Sequence, residues 1–457
     1  MRDAVRSVHE VPFSESATEP DLLRFPSDFL WGVSTAAHQV EGCNDHNQWS
    51  DWEQKGRIRS RDRCGDACDW WKNAECDFDL AQQMGLNALR LSVEWSRIEP
   101  REGQWHRESL LRYREMLKAL LERGIEPMVC LHHFTNPRWF EQKGAFLGPD
   151  AARLFDRFAR RVVEELGDLC RHWVTFNEPN VYASLGFVLG EFPPGRVGDV
   201  LTAFRVINSM ARIHAIAYRS IHAVQPDARV GWAHNYIWFA PANSYSLLDR
   251  LVTRLLNELF NESFLRVLER GRHKFPFNLV GENLLETKGT YDFVGLNVYS
   301  RLTVSFDFRQ RKQLCARVYV PPEVPQGDCG VDRPYGEACP EAVKIAVDRA
   351  AKLDKPIYIL ENGVPDASDR IRPWLLLNTL NEIYRLIETG RDIRGYFHWT
   401  LTDNFEWTEG WNLRFGLIEL NPETQERTMR PSGIIYQSIA LSNGLSRQML
   451  EEHSRFG

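Results

Sequence analysis

The chain has 457 residues, a formal net charge of −6, 43 % hydrophobic residues and 26 % charged residues. That balance builds a large globular core and offers no basic surface for nucleic acid or an anionic membrane. It contains no run of about 18 apolar residues to span a bilayer, and Met1 to Pro20 is polar and acidic without the apolar centre of a signal peptide, so the expected compartment is the cytoplasm.

Read in chain order, short β-branched or aromatic runs alternate with longer amphipathic stretches. Eight such runs are predicted as strands, at 29–33, 88–95, 126–134, 172–179, 228–236, 292–300, 356–363 and 393–401. Helical patterns lie between them at 107–123, 150–166, 200–224 and 249–270. In the first, Leu110, Leu111, Met116, Leu117, Leu120 and Leu121 form the apolar stripe. Gly85 and Gly124 stop helices just before the second and third strands. Strand and helix alternating eight times predict an α/β chain of one domain, a (β/α)8 TIM barrel with long βα loops. A doubly wound open sheet would need a glycine-rich phosphate loop after its first strand, and none is there. Residues 1–20 are read as a flexible extension, 21–445 as the barrel and 446–457 as a tail. The segment 301–340, with Pro, Gly, Cys315, Cys329 and Cys339, is read as a long loop near the barrel mouth.

The nine Cys are odd in number, so at least one is unpaired within the chain. Cys43, Cys64, Cys68 and Cys76 cluster, but the spacing lacks a downstream His or Cys pair, and no metal is expected. Fifteen Trp is a high count, several of them beside polar residues; stacking platforms for sugar rings and plain packing both account for them.

Barrels of this type work at the C-terminal ends of their strands, and chemistry-bearing residues gather there. Strand two carries Arg90, strand three ends in His132-His133, and strand four in Asn177-Glu178-Pro179. Strand five ends in His234-Asn235, strand six in Asn297 and Tyr299, and strand seven in Glu361-Asn362-Gly363. Strand eight carries His398 and Trp399, followed by Asp403, Glu406 and Trp407. Glu178 and Glu361 each end an apolar strand and precede a breaker. Paired carboxyls are what glycoside cleavage needs, one protonated for the leaving oxygen and one ionised for the anomeric carbon. Arg90 and Tyr299 are expected to keep Glu361 charged, and Glu178, with only Asn177 beside it, to keep a raised pKa.

With these residues in place, the chain resembles glycoside hydrolase family 1, the β-glucosidase family, from about Phe25 to about Ala440. Residues 29–42 (FLWGVSTAAHQVEG) are similar to its N-terminal signature, and Thr175-Phe176-Asn177-Glu178-Pro179 to its acid/base motif. Leu360-Glu361-Asn362-Gly363 resembles the nucleophile motif, and Asp403-Asn404-Phe405-Glu406-Trp407 the motif that reads the sugar. The resemblance implies a retaining double displacement with Glu178 as acid/base and Glu361 as nucleophile, about 5 Å apart and without a cofactor. It implies that Gln39, His133, Asn177, Glu361 and Glu406 hold the sugar, with Trp399 beneath the ring and Trp407 at its edge. Asn297 and Tyr299 would position the nucleophile. The implied partner is a small β-glucoside or short oligosaccharide, with galactosides and fucosides as side substrates.

Departures from the family pattern are Phe134, Trp411 and Asn297-Val298-Tyr299, which bear on pocket shape and not on the chemistry. The retained Glu406-Trp407 pair favours a neutral over a phosphorylated sugar. Glu178 distinguishes the chain from thioglucosidases with Gln there. Trp139, Phe187 and Trp411 are expected in the outer site, and His234 and Asn235 in supporting roles. A transglycosidase would use the same residues. The intact Glu pair argues against a sugar-binding barrel without turnover.

Overall fold

The computed structural model describes residues 22–274, 282–330 and 335–453. The extension expected over 1–20 and the last four residues of the expected tail lie outside them. Eight parallel strands close a barrel: β1 (Leu30–Ser34), β2 (Ala88–Ser92), β3 (Glu126–Cys130), β4 (His172–Asn177), β5 (Arg229–Asn235), β6 (Val294–Asn297), β7 (Ile357–Asn362) and β8 (Ile393–His398). Every one begins within two residues of the start of a predicted run, and the ends differ by one to four residues. β8 closes the ring on β1, with Gly395 beside Leu30 and His398 beside Val33.

The strands read as nearly continuous apolar runs because both faces are covered. Their alternation sorts neighbours into two separate clusters. Leu89, Val129, Trp173, Trp232, Ile359 and Tyr396 join the large cluster that packs under the helices. Ala88, Cys130, Val174, Ala233, Leu360 and Phe397 form a second, smaller cluster that fills the barrel.

Two register shifts break this alternation at the C-terminal ends. One lies between Val174 and Asn177 on β4, the other between Ile359 and Glu361 on β7. Asn177 and Glu361 are one step out of phase with the barrel-filling Val174 and Leu360. An irregularity of this kind re-aims side chains beside it, and these two shifts set the functional ends of their strands.

The helices follow the expected patterns at Arg107–Glu122, Ala151–Leu166 and Val200–Val224. The stretch expected as one helix over 249–270 is broken. Leu247–Asn257 and Ser263–Arg270 are α-helical, and a π-helical turn, Glu258–Glu262, lies between them. The expected loop 301–340 also needs correction. Ser300–Phe306 pairs with Ala316–Tyr319, with Glu337–Ala338 and with Trp238–Pro241 in a four-stranded sheet. Each strand is short and set between Pro, Gly and charged residues, so its alternation is lost among loop signals.

All nine Cys are free thiols, with Cys64 and Cys68 buried. Among the described residues no helix is long and apolar enough to cross a membrane.

Candidate active site

Glu178 and Glu361 lie at the C-terminal ends of β4 and β7, each almost wholly buried. Glu178 takes a left-handed conformation (φ 46°) where β4 turns into the helix Pro179–Ala183. That conformation is costly for a residue with a Cβ and is typical of functional positions. It also lets Asn177 and Glu178 serve one site, because the chain leaves the strand between them. Glu361 is followed by Asn362, whose amide donates to the Val298 carbonyl at 2.6 Å, and by Gly363. A Cβ at Gly363 would lie 2.1 Å from the Trp399 carbonyl oxygen, so only glycine lets β7 and β8 approach here.

The two carboxyls have different partners. Arg90, fully buried, donates from Nη1 to Glu361 Oε1 and from Nη2 to Asn177 Oδ1 at 2.6 Å. Tyr299 donates its hydroxyl to Glu361 Oε2 at 2.6 Å. Glu178 has no cation on it. Its Oε1 accepts from Asn235 Nδ2 and Asn297 Nδ2, each at 2.8 Å. The expectation that only Asn177 stands beside Glu178 is therefore corrected. Asn235, read as supporting, touches the carboxyl directly, and Asn297 bridges Glu178 and Asn177 Oδ1 while also acting on Glu361. The one signal for Asn235 was its place at the end of β5.

Burial pushes Glu178 up to about 8, and the charge of Glu361 adds to the rise. Burial raises Glu361 as well, but Arg90 and Tyr299 pull it back. The charge of one carboxyl acts on the other, and carboxyls coupled in this way titrate as a pair. The guanidinium favours the anion on Glu361, so the proton rests on Glu178.

The other expected residues surround this pair. His133 presents Nε2 to Asn177 Nδ2 at 3.0 Å. Burial, then the charge of Arg90, keeps its pKa well below the usual histidine value. The ring is neutral. Because Arg90 fixes Asn177 Oδ1 as acceptor, Asn177 Nδ2 donates and the His133 proton sits on Nδ1, which has no partner among the described residues. The His133 ring stacks with both Trp399 (5.9 Å, 27°) and Trp407 (5.8 Å, 19°). Gln39 donates to the Phe405 carbonyl at 2.8 Å, to Asn404 Oδ1 at 3.1 Å and to Glu406 Oε2 at 3.3 Å, and its own Oε1 has no partner among the described residues. Burial lifts Glu406 to about 8, with the charge of Glu361 adding to it. Free acceptors and donors on Gln39 and His133, with a carboxyl that donates or accepts on Glu406, match the ring of hydroxyls on a sugar.

Asp403 does different work from its neighbours. It is fully buried and receives Arg430 at both oxygens, at 2.9 and 2.8 Å. It anchors the loop that carries Glu406 and Trp407. Asp403→Ala leaves the Arg430 charge unpaired in the interior, and the expected loss in unfolding free energy is about 3–5 kcal/mol, read by urea denaturation.

The three aromatic residues expected in the outer site are placed elsewhere. Trp139 packs edge-on to Trp95 and donates to the Glu99 carbonyl at 2.8 Å. Trp411 donates to the Arg63 carbonyl at 3.2 Å, and Phe187 lies under the Arg196 guanidinium. The cavity that holds the carboxyls has a volume of about 740 Å³, and the rest of its lining is mostly apolar, with aliphatic residues such as Leu185, Val188 and Ile207 beside aromatic ones such as Phe204, Phe239 and Phe260.

Comparison with known proteins shows the family and the fold. The family model described as Glycosyl hydrolase family 1 matches residues 22–445. Beta-glucosidase A of Thermotoga maritima is 31 % identical, with 93 % of this chain and 99 % of that protein aligned. The structure of a beta-glycosidase from Pyrococcus horikoshii superposes with a TM-score of 0.86 at 32 % identity, covering 95 % of this chain and 99 % of that one. The Thermotoga maritima beta-glucosidase in complex with glucoimidazole gives a TM-score of 0.85 at 29 % identity, covering 93 % of this chain and 100 % of that one.

Proposed function

The chain belongs to glycosyl hydrolase family 1 and is a β-glycosidase, and we propose that it hydrolyses β-D-glucosides with net retention, through a covalent glycosyl-enzyme on Glu361. β-Galactosides and β-fucosides are side substrates in this reading. The observation that carries it is the unequal support of the two carboxyls: a cation and a phenol on Glu361, amides alone on Glu178.

The chemistry follows from that inequality. Glu361, kept as the anion, attacks the anomeric carbon. Glu178, kept protonated, gives its proton to the departing glycosidic oxygen. The bond to the aglycone breaks as the ester to Glu361 forms. Glu361 then carries no charge, and one of the two causes of the raised Glu178 pKa is gone. Glu178, now an anion of lower pKa, takes a proton from water as the water attacks the ester. The first turn of chemistry thus converts the acid into the base that the second requires.

In the sugar site Gln39, Asn177, His133 and Glu406 bind hydroxyls, with Trp399 beneath the ring and Trp407 at its edge. Asn177 Oδ1, held by Arg90 and Asn297, leaves its amide group oriented toward the sugar and His133. Arg90, Asn297 and Tyr299 position the carboxyls.

The test is to follow p-nitrophenyl β-glucoside by proton NMR. β-Glucose as the first product, mutarotating later to the α anomer, is the expected result. α-Glucose appearing first means direct displacement by water and overturns the assignment of Glu361 as nucleophile.

A further inference from the structure

Resting on the β-glycosidase reading above, we propose that the aglycone is a long aliphatic chain, so that the substrate is an alkyl or lipid β-glycoside. The catalytic cavity, at about 740 Å³, lies in the upper part of the range of about 300–1,000 Å³ for sites that enclose a whole drug-sized ligand. His133, Asn177, Trp399, Glu406 and Trp407 line it together with Glu178 and Glu361. Most of the remaining lining is apolar. Leu185, Val188 and Ile207 face it from one side, and Phe260, Leu302 and Val320 from other segments of the chain.

This wall discriminates between aglycones. A second sugar would bring hydroxyls that need partners, and burying them against methyl groups is unfavourable. Trp139, Phe187 and Trp411 are turned to other partners, but Phe192, Phe204, Phe239 and Phe260 line the cavity, so an aryl aglycone is the competing occupant that the test below separates. A hydrocarbon chain needs only apolar surface, which this wall supplies. Polar side chains line the cavity too, Gln310, Gln313 and Arg317 from one segment and Glu191 and Glu409 from others, and Arg317 is exposed.

The backbone is adapted at the same place. The two π-helical segments, Ser184–Val188 and Glu258–Glu262, both meet this cavity, the first through Leu185 and Val188 and the second through Leu259 and Phe260. A π turn inserts a residue into the helix and is enriched at functional sites. The mouth is apolar as well. Leu189 and Val318 line the cavity and are still 39 % and 42 % exposed. Leu201, next to the lining residue Val200, is 64 % exposed, and Leu251, on the helix that supplies Leu256, is 60 % exposed. A chain longer than the cavity therefore emerges among leucines.

The experiment measures kcat/KM of the intact enzyme for methyl, butyl, hexyl and octyl β-glucoside below their micelle-forming concentrations, beside cellobiose and p-nitrophenyl β-glucoside. The n-alkyl leaving groups from butyl upward are equally reactive, so differences report binding. The expected result is a rise of about two- to fourfold per added methylene, carried by a falling KM, with octyl glucoside preferred to cellobiose. Leu302→Asp lowers the octyl-to-butyl ratio by at least about tenfold; Val318→Asp, at the exposed mouth, lowers it too and does not strain the fold. A flat alkyl series with p-nitrophenyl β-glucoside still turned over overturns the aliphatic aglycone alone. No turnover of any glycoside overturns the underlying β-glycosidase reading as well.

Discussion

Glu361→Ala is expected to lower turnover of p-nitrophenyl β-glucoside by about 100,000-fold or more, on the scale seen when an enzyme loses its nucleophile, and azide is expected to restore it. The alanine leaves a gap on the face of the sugar opposite the leaving group. A small anion filling that gap attacks the anomeric carbon once, with inversion, and the product is the α-glucosyl azide. Arg90 favours the anion there, because in the variant its Nη1 has lost the carboxylate it held. The same loss strains the fold. A fully buried guanidinium loses its carboxylate and keeps Asn177 Oδ1 and the Cys130 side chain, and an uncompensated buried charge costs about 3–5 kcal/mol. Circular dichroism and a thermal melt of the variant, with and without azide, separate loss of chemistry from loss of structure. Activity that stays low while the variant is folded and saturated with azide contradicts the role given to Glu361. So does a β-configured azide.

The sequence made the scaffold legible because barrel strands carry the strongest local signal. Runs such as Ile357 to Leu360 are apolar on both faces, and glycine or proline stops them. It also brought out the pair of glutamates, since each ends such a run before a breaker. Less legible were features set by tertiary detail. Two residues adjacent in a strand point opposite ways, so alternation alone would have allowed only one of Asn177 and Glu178 into the site. The register shift after Val174 and the left-handed turn at Glu178 admit both, and neither leaves a mark in residue type. Asn235 was read as supporting for a related reason. Its amide reaches Glu178 across the gap between β5 and β4, a contact that no local pattern encodes. The outer wall was the hardest part. Aromatic residues in loops advertise stacking by their chemistry, yet Trp139 and Trp411 spend their indole N–H groups on backbone carbonyls away from the cavity. The residues that do line it, such as Leu185 and Val188, look like ordinary helix core.

Glu178→Gln separates the two chemical steps, and the outcome depends on the aglycone. With an alkyl or sugar leaving group, bond cleavage needs the proton, and the expected loss is about 100- to 10,000-fold, the usual contribution of a positioned general acid. With 2,4-dinitrophenyl β-glucoside the leaving anion is stable without help. The first step proceeds, the second lacks its base, and the glycosyl-enzyme accumulates, visible as a burst of dinitrophenolate and as a mass increase of one glucosyl unit. Azide then attacks the ester from the Glu178 side and gives the β-glucosyl azide, the opposite anomer to that from Glu361→Ala. The wild-type kcat/KM profile falls as pH rises through about 8, where Glu178 loses its proton, and this limb is absent from the glutamine variant on the dinitrophenyl substrate. Stability falls with rising pH as well, beginning lower on the scale. Between the unfolded carboxyl value and about 8 the folded wild type holds a proton that the unfolded chain has released, so its stability falls as pH rises through that window, by up to about 1.4 kcal/mol per unit for one such group. Glutamine carries no such proton and keeps the amide contacts of Asn235 and Asn297 within reach. The variant should therefore gain on the wild type in a denaturation series from pH 5 to pH 8. A constant difference across the series would mean that Glu178 is ionised throughout, and an acid already ionised has no proton to give the leaving group.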